Sequence, residues 1–206
     1  QAKDGVARLS SMHKKFIAEG QLHGIEIVNE DTYSEEAFKI ALENDLALIG
    51  TSDVHDLIEW DYLTKKGEHR PVTLIFAKER TKDSLREALF QRRTAIWFKE
   101  ILIGKEVNIV PLLNSIIDIE STGYAKGTQI LKVVLKNNSS ALIQLKNLSA
   151  YTFFDSTNLI NLPGNSEIVI RVKTIENLDK LELDFQVLNA LIAPNKNPTV
   201  KLVTKI

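Results

Sequence analysis

The spacing of apolar residues changes character near residue 105. Before that point, helical spacing alternates with short apolar runs. Leu9, Met12, Phe16 and Ile17 fall on one face of a helix predicted over Arg8–Glu19, and Gly20 is a natural stop. Ile25-Glu26-Ile27-Val28 reads as a strand ending at Asn29. Ser34 is a good N-cap for a second helix, with Glu35 and Glu36 in its first turn, an apolar face of Ala37, Ile40 and Ala41, and Asn44 at its end. Leu46–Gly50 reads as a buried strand, Asp56–His69 as a polar loop over a site, and Val72–Ala77 as another strand. Thr81 caps a helix bearing Leu85, Ala88 and Leu89, and Thr94–Trp97 is a last strand. Strands alternating with amphipathic helices predict parallel β/α units. A closed barrel of such units needs seven or eight strands, and about four are found here.

Beyond Val107 the period shortens to two. Ile130–Lys136, Ala141–Leu148, Glu167–Lys173, Leu181–Gln186 and Thr199–Thr204 alternate apolar and polar residues, separated by Asn-, Gly- and Pro-bearing turns. This pattern predicts an all-β sandwich, with Asn137–Ser140 as a hairpin loop. The fold class expected is therefore α/β in a first domain, residues 1–104, and an all-β sandwich in a second, residues 105–206.

Composition sharpens that boundary. All four histidines and both tryptophans precede residue 105, and the first part has 15 Lys and Arg against 18 Asp and Glu, the second 11 against 9. A formal net charge of −1 gives no electrostatic case for nucleic acid or an anionic membrane. No apolar run approaches the ~20 residues that cross a bilayer. Cysteine is absent, so thiolate chemistry and disulfides are excluded. The chain opens Gln1-Ala2-Lys3-Asp4 without Met or a signal-like segment, as a processed or truncated piece would.

The candidate chemistry centres on Leu46–His55, an apolar strand running into Gly50-Thr51-Ser52-Asp53-Val54-His55. In extended backbone, residues two apart point the same way, so Asp53 and His55 are expected to converge beyond the strand's carboxyl end. A carboxylate and an imidazole there form a reasonable pair of metal ligands; the alternative is a turn with a solvated histidine. Glu26, at the end of another strand, is a third candidate ligand or a group that orients one, or else a strand-end polar residue. His69 and Arg70 follow the loop and are candidates for substrate phosphate, or a solvated pair at a strand start. Trp60 and Tyr62 either wall a pocket or pack the loop down, with packing favoured. His23 and His13 read as structural or exposed, Asp56 as a loop carboxylate, and Arg92-Arg93 as a helix terminus. No residue is assigned a catalytic role beyond these ligand and substrate contacts.

The first part resembles the polymerase-and-histidinol-phosphatase (PHP) family of metal-dependent phosphoesterases. The residues that carry the resemblance are Gly24-Ile-Glu26-Ile-Val-Asn29, Ile49-Gly-Thr-Ser-Asp53-Val-His55, Arg70–Ala77 and the helix around Ser84–Leu89. The family's late motif is a strand, Gly-Ser and Asp-x-His; here Thr51 intervenes. The resemblance implies a partial β/α barrel of PHP type, followed by an immunoglobulin-like domain. It also implies two or three divalent ions (Zn, Mn or Fe) in the intact enzyme, a metal-bound hydroxide attacking phosphorus, and Asp53 and His55 as the last ligand pair. The family's early His-x-His is absent from this sequence. Its activity is therefore expected in a longer parent, with a missing N-terminal half or another chain as partner and a phosphate ester as substrate. The fragment alone is expected to be inactive or nearly so. The alternatives are a non-catalytic binding or structural module and a metal-dependent hydrolase of C–N bonds. The immunoglobulin-like tail and the lack of cysteine favour a periplasmic or secreted location.

Overall fold

Side-chain caps set the helices of the first part. Ser10 takes the N-cap of helix α1 (Ser11–Ala18), its hydroxyl accepting from His13 N at 3.2 Å while His13 Nδ1 accepts from Ser10 N. The helix is thus shorter at its start than its apolar spacing suggests. The computed structural model describes residues 5–206, so the opening tetrapeptide, with its missing Met, lies outside the described residues. Strand β1 (Gly24–Asn29) is followed by β2 (Thr32–Tyr33), and helix α2 (Glu35–Glu43) starts at Ser34, whose hydroxyl accepts from Ala37 N. Asn44 ends α2 by donating its side-chain amide to Ile40 O. Strand β3 (Ala47–Thr51) follows. The expected loop then holds a short helix, α3 (Ile58–Asp61), and a 3-10 turn at Thr64–Lys66. Strand β4 (Val72–Ile75), helix α4 (Lys82–Phe90) capped by Thr81, and strands β5 (Thr94–Phe98) and β6 (Ile101–Gly104) complete this run.

Helix α5 (Glu106–Ile116) comes next, and then nine strands: β7 (Ile117–Tyr124), β8 (Ile130–Asn137), β9 (Ile143–Asn147), β10 (Thr152–Phe153), β11 (Leu159–Leu162), β12 (Ser166–Lys173), β13 (Lys180–Val187), β14 (Ala190–Leu191) and β15 (Thr199–Lys205). The chain is mostly β, with few helices. It divides into two units. One holds the residues up to Asn108 together with Leu191–Lys196; the other holds Ile109–Ala190 and Asn197–Ile206.

In the first unit, β1 and β3 are parallel, and β2 adds antiparallel to β1. The expected run of parallel β/α units stops there. Although α4 lies between them in sequence, β4 and β5 pair antiparallel, and β6 joins β5 through a two-residue hairpin. Side chains take over where a backbone ladder to β3 would run. Thr94 Oγ1 accepts from Leu48 N at 3.1 Å, and Thr73 Oγ1 both accepts from Gly50 N and donates to Gly50 O, each at 2.9 Å. Gly50 permits this approach, because a Cβ there would sit 2.6 Å from Ile96 Cγ2. The core gathers Ile27, Val28, Phe38, Leu46, Leu48, Ile96 and Ile103, with Leu191 packed against it.

The second unit is two four-stranded antiparallel sheets, ordered β10-β12-β8-β7 and β11-β9-β13-β15. Alternation along each strand buries one face: Leu131, Val133, Leu135, Ile170 and Val172 in one sheet, and Ile143, Leu145, Leu183, Phe185 and Leu202 in the other. The span Asn137–Ser140 is not a hairpin, because β8 pairs with β7 and β12 whereas β9 pairs with β11 and β13. It carries the chain from one sheet to the other. Buried Asn137 donates to the carbonyls of Ala141, Leu162 and Pro163 and accepts from Ser139 N and Oγ, satisfying a bend that no ladder serves. Gly164 lies against Ser140, where a Cβ would collide with its carbonyl.

Candidate functional site

Because β1 and β3 are parallel, their carboxyl ends sit side by side. Glu30 N donates to Thr51 O at 3.1 Å, so the two following loops begin together. That is where α/β folds place ligands. Strand β3 stops at Thr51, and Asp53 takes a left-handed conformation, φ 48°. The extended alternation that predicted a shared direction for Asp53 and His55 does not reach them. They meet instead through the turn, with Asp53 Oδ1 3.6 Å from His55 Nε2 and both side chains more than half exposed. They line a cleft of about 460 Å³ whose other walls include Glu30, Asp31, Asp56, Trp60, Asp61 and Tyr62.

Electrostatically the cleft is acidic. Asp31 is paired with Lys99 at 3.4 Å. Partial burial, then the carboxylates of Asp31, Asp61 and Glu30, push the Tyr62 hydroxyl above its usual pKa. Glu30, Asp31 and Asp61 were not candidates from sequence. The signal that could have found Glu30 and Asp31 is their place directly after β1, matching the place of Asp53 after β3. Trp60 does not pack the loop down, being 71% exposed.

Glu26 is held apart from Asp53 and His55. Its Oε1 accepts from Thr51 Oγ1 at 2.5 Å, and its Oε2 accepts from Asn29 Nδ2 at 3.2 Å. It lines a different cleft, of about 850 Å³, with His13, Tyr33 and Ser34. There the Tyr33 hydroxyl is buried with no partner, and its pKa is pushed up to about 12, first by burial and then by Glu35 and Glu36. His69 is engaged elsewhere as well. Its ring lies 4.0 Å from that of Trp97, with Nδ1 2.7 Å from Arg70 O and Nε2 3.0 Å from Lys99 O. Those contacts tie the end of the loop to the β5–β6 hairpin, and Arg70 beside it is exposed. His23 stacks on Phe90 at 4.4 Å. Arg92 and Arg93 do follow a helix end. Arg92 Nε donates to Asp45 O at 2.8 Å and Arg93 Nη2 to Glu87 Oε1 at 3.1 Å, while a hydrogen bond from Lys105 holds the Asp45 carboxyl below its usual pKa.

The donor set can be tested against a divalent ion. Two donors each ~2.1 Å from one ion at a tetrahedral angle lie about 3.4 Å apart, so the Asp53–His55 separation suits two ligands of one ion. Among the described residues, no three His, Asp or Glu side chains gather closely enough to hold one. The pair fits as part of a ligand set.

Residues 117–203 match an Ig-like domain family. No curated protein matches the sequence. The fold is similar to that of a solved two-domain protein from Bacteroides vulgatus ATCC 8482, which contains a predicted PHP-like metal-dependent phosphoesterase. The TM-score is 0.86 at 31% identity, and the match covers 98% of this chain. It covers 58% of that protein, so the present chain spans little more than half of its length.

Proposed function

We propose that this chain belongs to a metal-dependent phosphoesterase of PHP type, with its first unit a partial β/α barrel and its second an immunoglobulin-like domain. The observation that carries the reading is the convergence of Asp53 and His55 at the carboxyl ends of the parallel β1–β3 pair, in a chain 31% identical over nearly its whole length to the Bacteroides vulgatus protein. Asp53 Oδ1 and His55 Nε2 are the two atoms that would hold an ion, Zn, Mn or Fe. Glu26 is assigned a supporting role, holding Thr51 and Asn29 at the strand ends. A divalent ion, when bound, lowers the pKa of water and neutralises charge on phosphoryl oxygens. It also answers the negative rim that would otherwise repel a phosphate ester. The remaining ligands, and the full barrel, are proposed to come from the rest of a longer protein or from another chain. His69 and Arg70 stand at the end of the loop, and of the two the exposed Arg70 is proposed as the contact to a phosphate.

The test is hydrolysis of bis(p-nitrophenyl) phosphate with Mn²⁺ or Zn²⁺, by the full-length protein and by this chain. Full-length turnover is expected, with little or none from the chain alone. Asp53→Asn and His55→Gln should each lower full-length turnover by more than about 100-fold, since even outer-shell partners of metal ligands are worth 10–100-fold. Unchanged turnover in both variants would place the site elsewhere. Amide hydrolysis in preference to the ester would identify a C–N hydrolase.

A further inference from the structure

The outer face of the β10-β12-β8-β7 sheet holds a charge arrangement that the fold does not call for. At one end, Lys136 lies between Glu167 and Asp118 on the neighbouring strands, so unlike charges alternate across three strands. On the other sheet, Lys201 is answered by Glu182 at 3.1 Å and Asp184 at 3.8 Å. Arg171 and Lys132 break that rule. They stand directly opposite each other on β12 and β8, and both are exposed. Arg171 O accepts from Phe154 N, so this carbonyl faces β10, and the Arg171–Lys132 pair is of the non-hydrogen-bonded kind, whose side chains run closest. Like charges so placed destabilise a sheet. Lys173, two residues along β12, adds a third cation to the same face. Among the described residues, one carboxylate pairs with any of the three: Asp155 Oδ2, 2.6 Å from Arg171 Nη2. Beside them Phe154 is 51% exposed, with Arg171 5.8 Å and Lys173 5.3 Å from its ring centre.

We propose that Lys132, Arg171 and Lys173, bordered by Phe154, form a binding face for an acidic polysaccharide, one bearing carboxylate or sulfate groups. The site belongs to the second unit and is independent of the phosphoesterase reading. The bound polyanion supplies the counter-charge that the fold omits. One exposed charge contact is worth little, so a ligand with several anionic groups in a row is favoured over a single small anion. The ring already carries two cations, which compete with a stacked nucleobase. A peptide strand cannot add here, because β10 takes the edge of β12 at Val172 and Lys173. A peptide laid on the face instead would leave its backbone groups without a ladder, a need that a saccharide does not have.

The experiment is fluorescence anisotropy of end-labelled polygalacturonate, dextran sulfate, dextran and poly-dT, titrated with this chain at low ionic strength. An acidic saccharide is expected to bind and dextran is not. A preference for polygalacturonate assigns carboxylate, a preference for dextran sulfate assigns sulfate, and either supports the face. Lys132→Gln and Arg171→Gln should each weaken binding by about 1.4- to 5-fold, and together by about 2- to 25-fold. Lys146→Gln, which removes the same charge from an exposed position of the other sheet, should change nothing. In the free chain Lys132→Gln should raise the urea midpoint, because it relieves the like-charge pair. Stability and affinity then move in opposite directions, whereas a merely structural role would move them together. A lowered midpoint with unchanged affinity overturns the proposal. So do equal losses in Lys132→Gln and Lys146→Gln, or dextran bound as tightly as its sulfate. Poly-dT bound more tightly than either acidic saccharide overturns it in favour of nucleic acid, and no binding of any probe overturns it outright. None of these outcomes bears on the phosphoesterase reading.

Discussion

The two units treat awkward polar groups in opposite ways. In the second unit, buried Asn137 and Asn189 are bonded through both ends of their amides, and half-buried Asn147 repeats the arrangement of Asn137 with Tyr151 O and Ser149. The non-glycine residue with positive φ described there is Asn165, an ordinary occupant of that region. In the first unit, the buried atoms Tyr33 Oη, Arg93 Nε and Trp97 Nε1 have no partner. Its left-handed positions are held by Glu30, Asp45, Asp53, Arg92 and Lys99 as well as Asn195. A non-glycine residue in that conformation costs on the order of 1 kcal/mol, and such positions cluster at functional sites. Two of the five charged ones, Glu30 and Asp53, line the cleft, and Lys99 pairs with Asp31 on its rim. Among the described residues, no buried side-chain nitrogen or oxygen of the second unit lacks a partner, whereas the first unit leaves three unpaired and presents charge at its left-handed turns.

Four substitutions test that contrast. The largest effect is expected from Phe185→Ala. The ring is fully buried in the sandwich, 6.4 Å from that of Phe153, and its loss should cost about 3–5 kcal/mol in urea denaturation. A cost below about 1 kcal/mol would mean the sandwich core is looser than its alternation implies. Next is Asn137→Ala, expected to cost about 2–3 kcal/mol because it strands buried carbonyls, against about 1 kcal/mol for Asn147→Ala at its more open position. Equal costs would erase the argument that burial sets the value of these bends. The smallest is Tyr33→Phe, expected to be neutral or stabilising by up to about 1 kcal/mol at pH 8, since it removes a hydroxyl with no partner. Its pH signature is sharper. The Tyr33 hydroxyl ionises near 10 when unfolded but at about 12 in the fold, so its contribution is complete below pH 10 and is lost as pH rises through 12. In Tyr33→Phe, denaturation midpoints between pH 10 and 12 should fall less steeply. Identical slopes in the two proteins would show that water reaches the hydroxyl in the folded protein and that it is not buried.

Local signals carried much of the secondary structure. Ser34, Thr81 and Asn44 stand at the helix ends where their side chains bond, and the five alternating runs of the second part are strands. What depends on partners distant in sequence was not legible. A strand's apolar run does not say which way its neighbour points, so the antiparallel β4–β5 pair read as another parallel unit. Asn137–Ser140 has the composition of a hairpin loop, but composition does not say whether the flanking strands share a sheet. Helix α5, with Pro111 inside it, and strands β6, β7 and β11 have patterns too short or too mixed to stand out. At the site, the Asp-x-His spacing marked two side chains that do meet, through a left-handed turn that spacing alone does not encode. Glu26 lies on the strand expected, yet its carboxylate is taken by Thr51 and Asn29, a pairing fixed by the β1–β3 register.

The first unit is not contiguous in sequence. Leu191–Lys196 returns to it after most of the sandwich: Leu191 packs on its core, Asn195 Nδ2 donates to Glu35 Oε2 at 3.4 Å, and Lys196 lies 3.9 Å from Glu106. On the ribosome this segment emerges some 80 residues after Asn108, so the first unit waits, at 5–20 residues per second, for ~4–16 s before its last piece exists. For that interval it is short of a core contact and two polar ties while the β-rich stretch that follows is already leaving the tunnel. A chain truncated ahead of residue 191 would lack that core contact and both polar ties permanently.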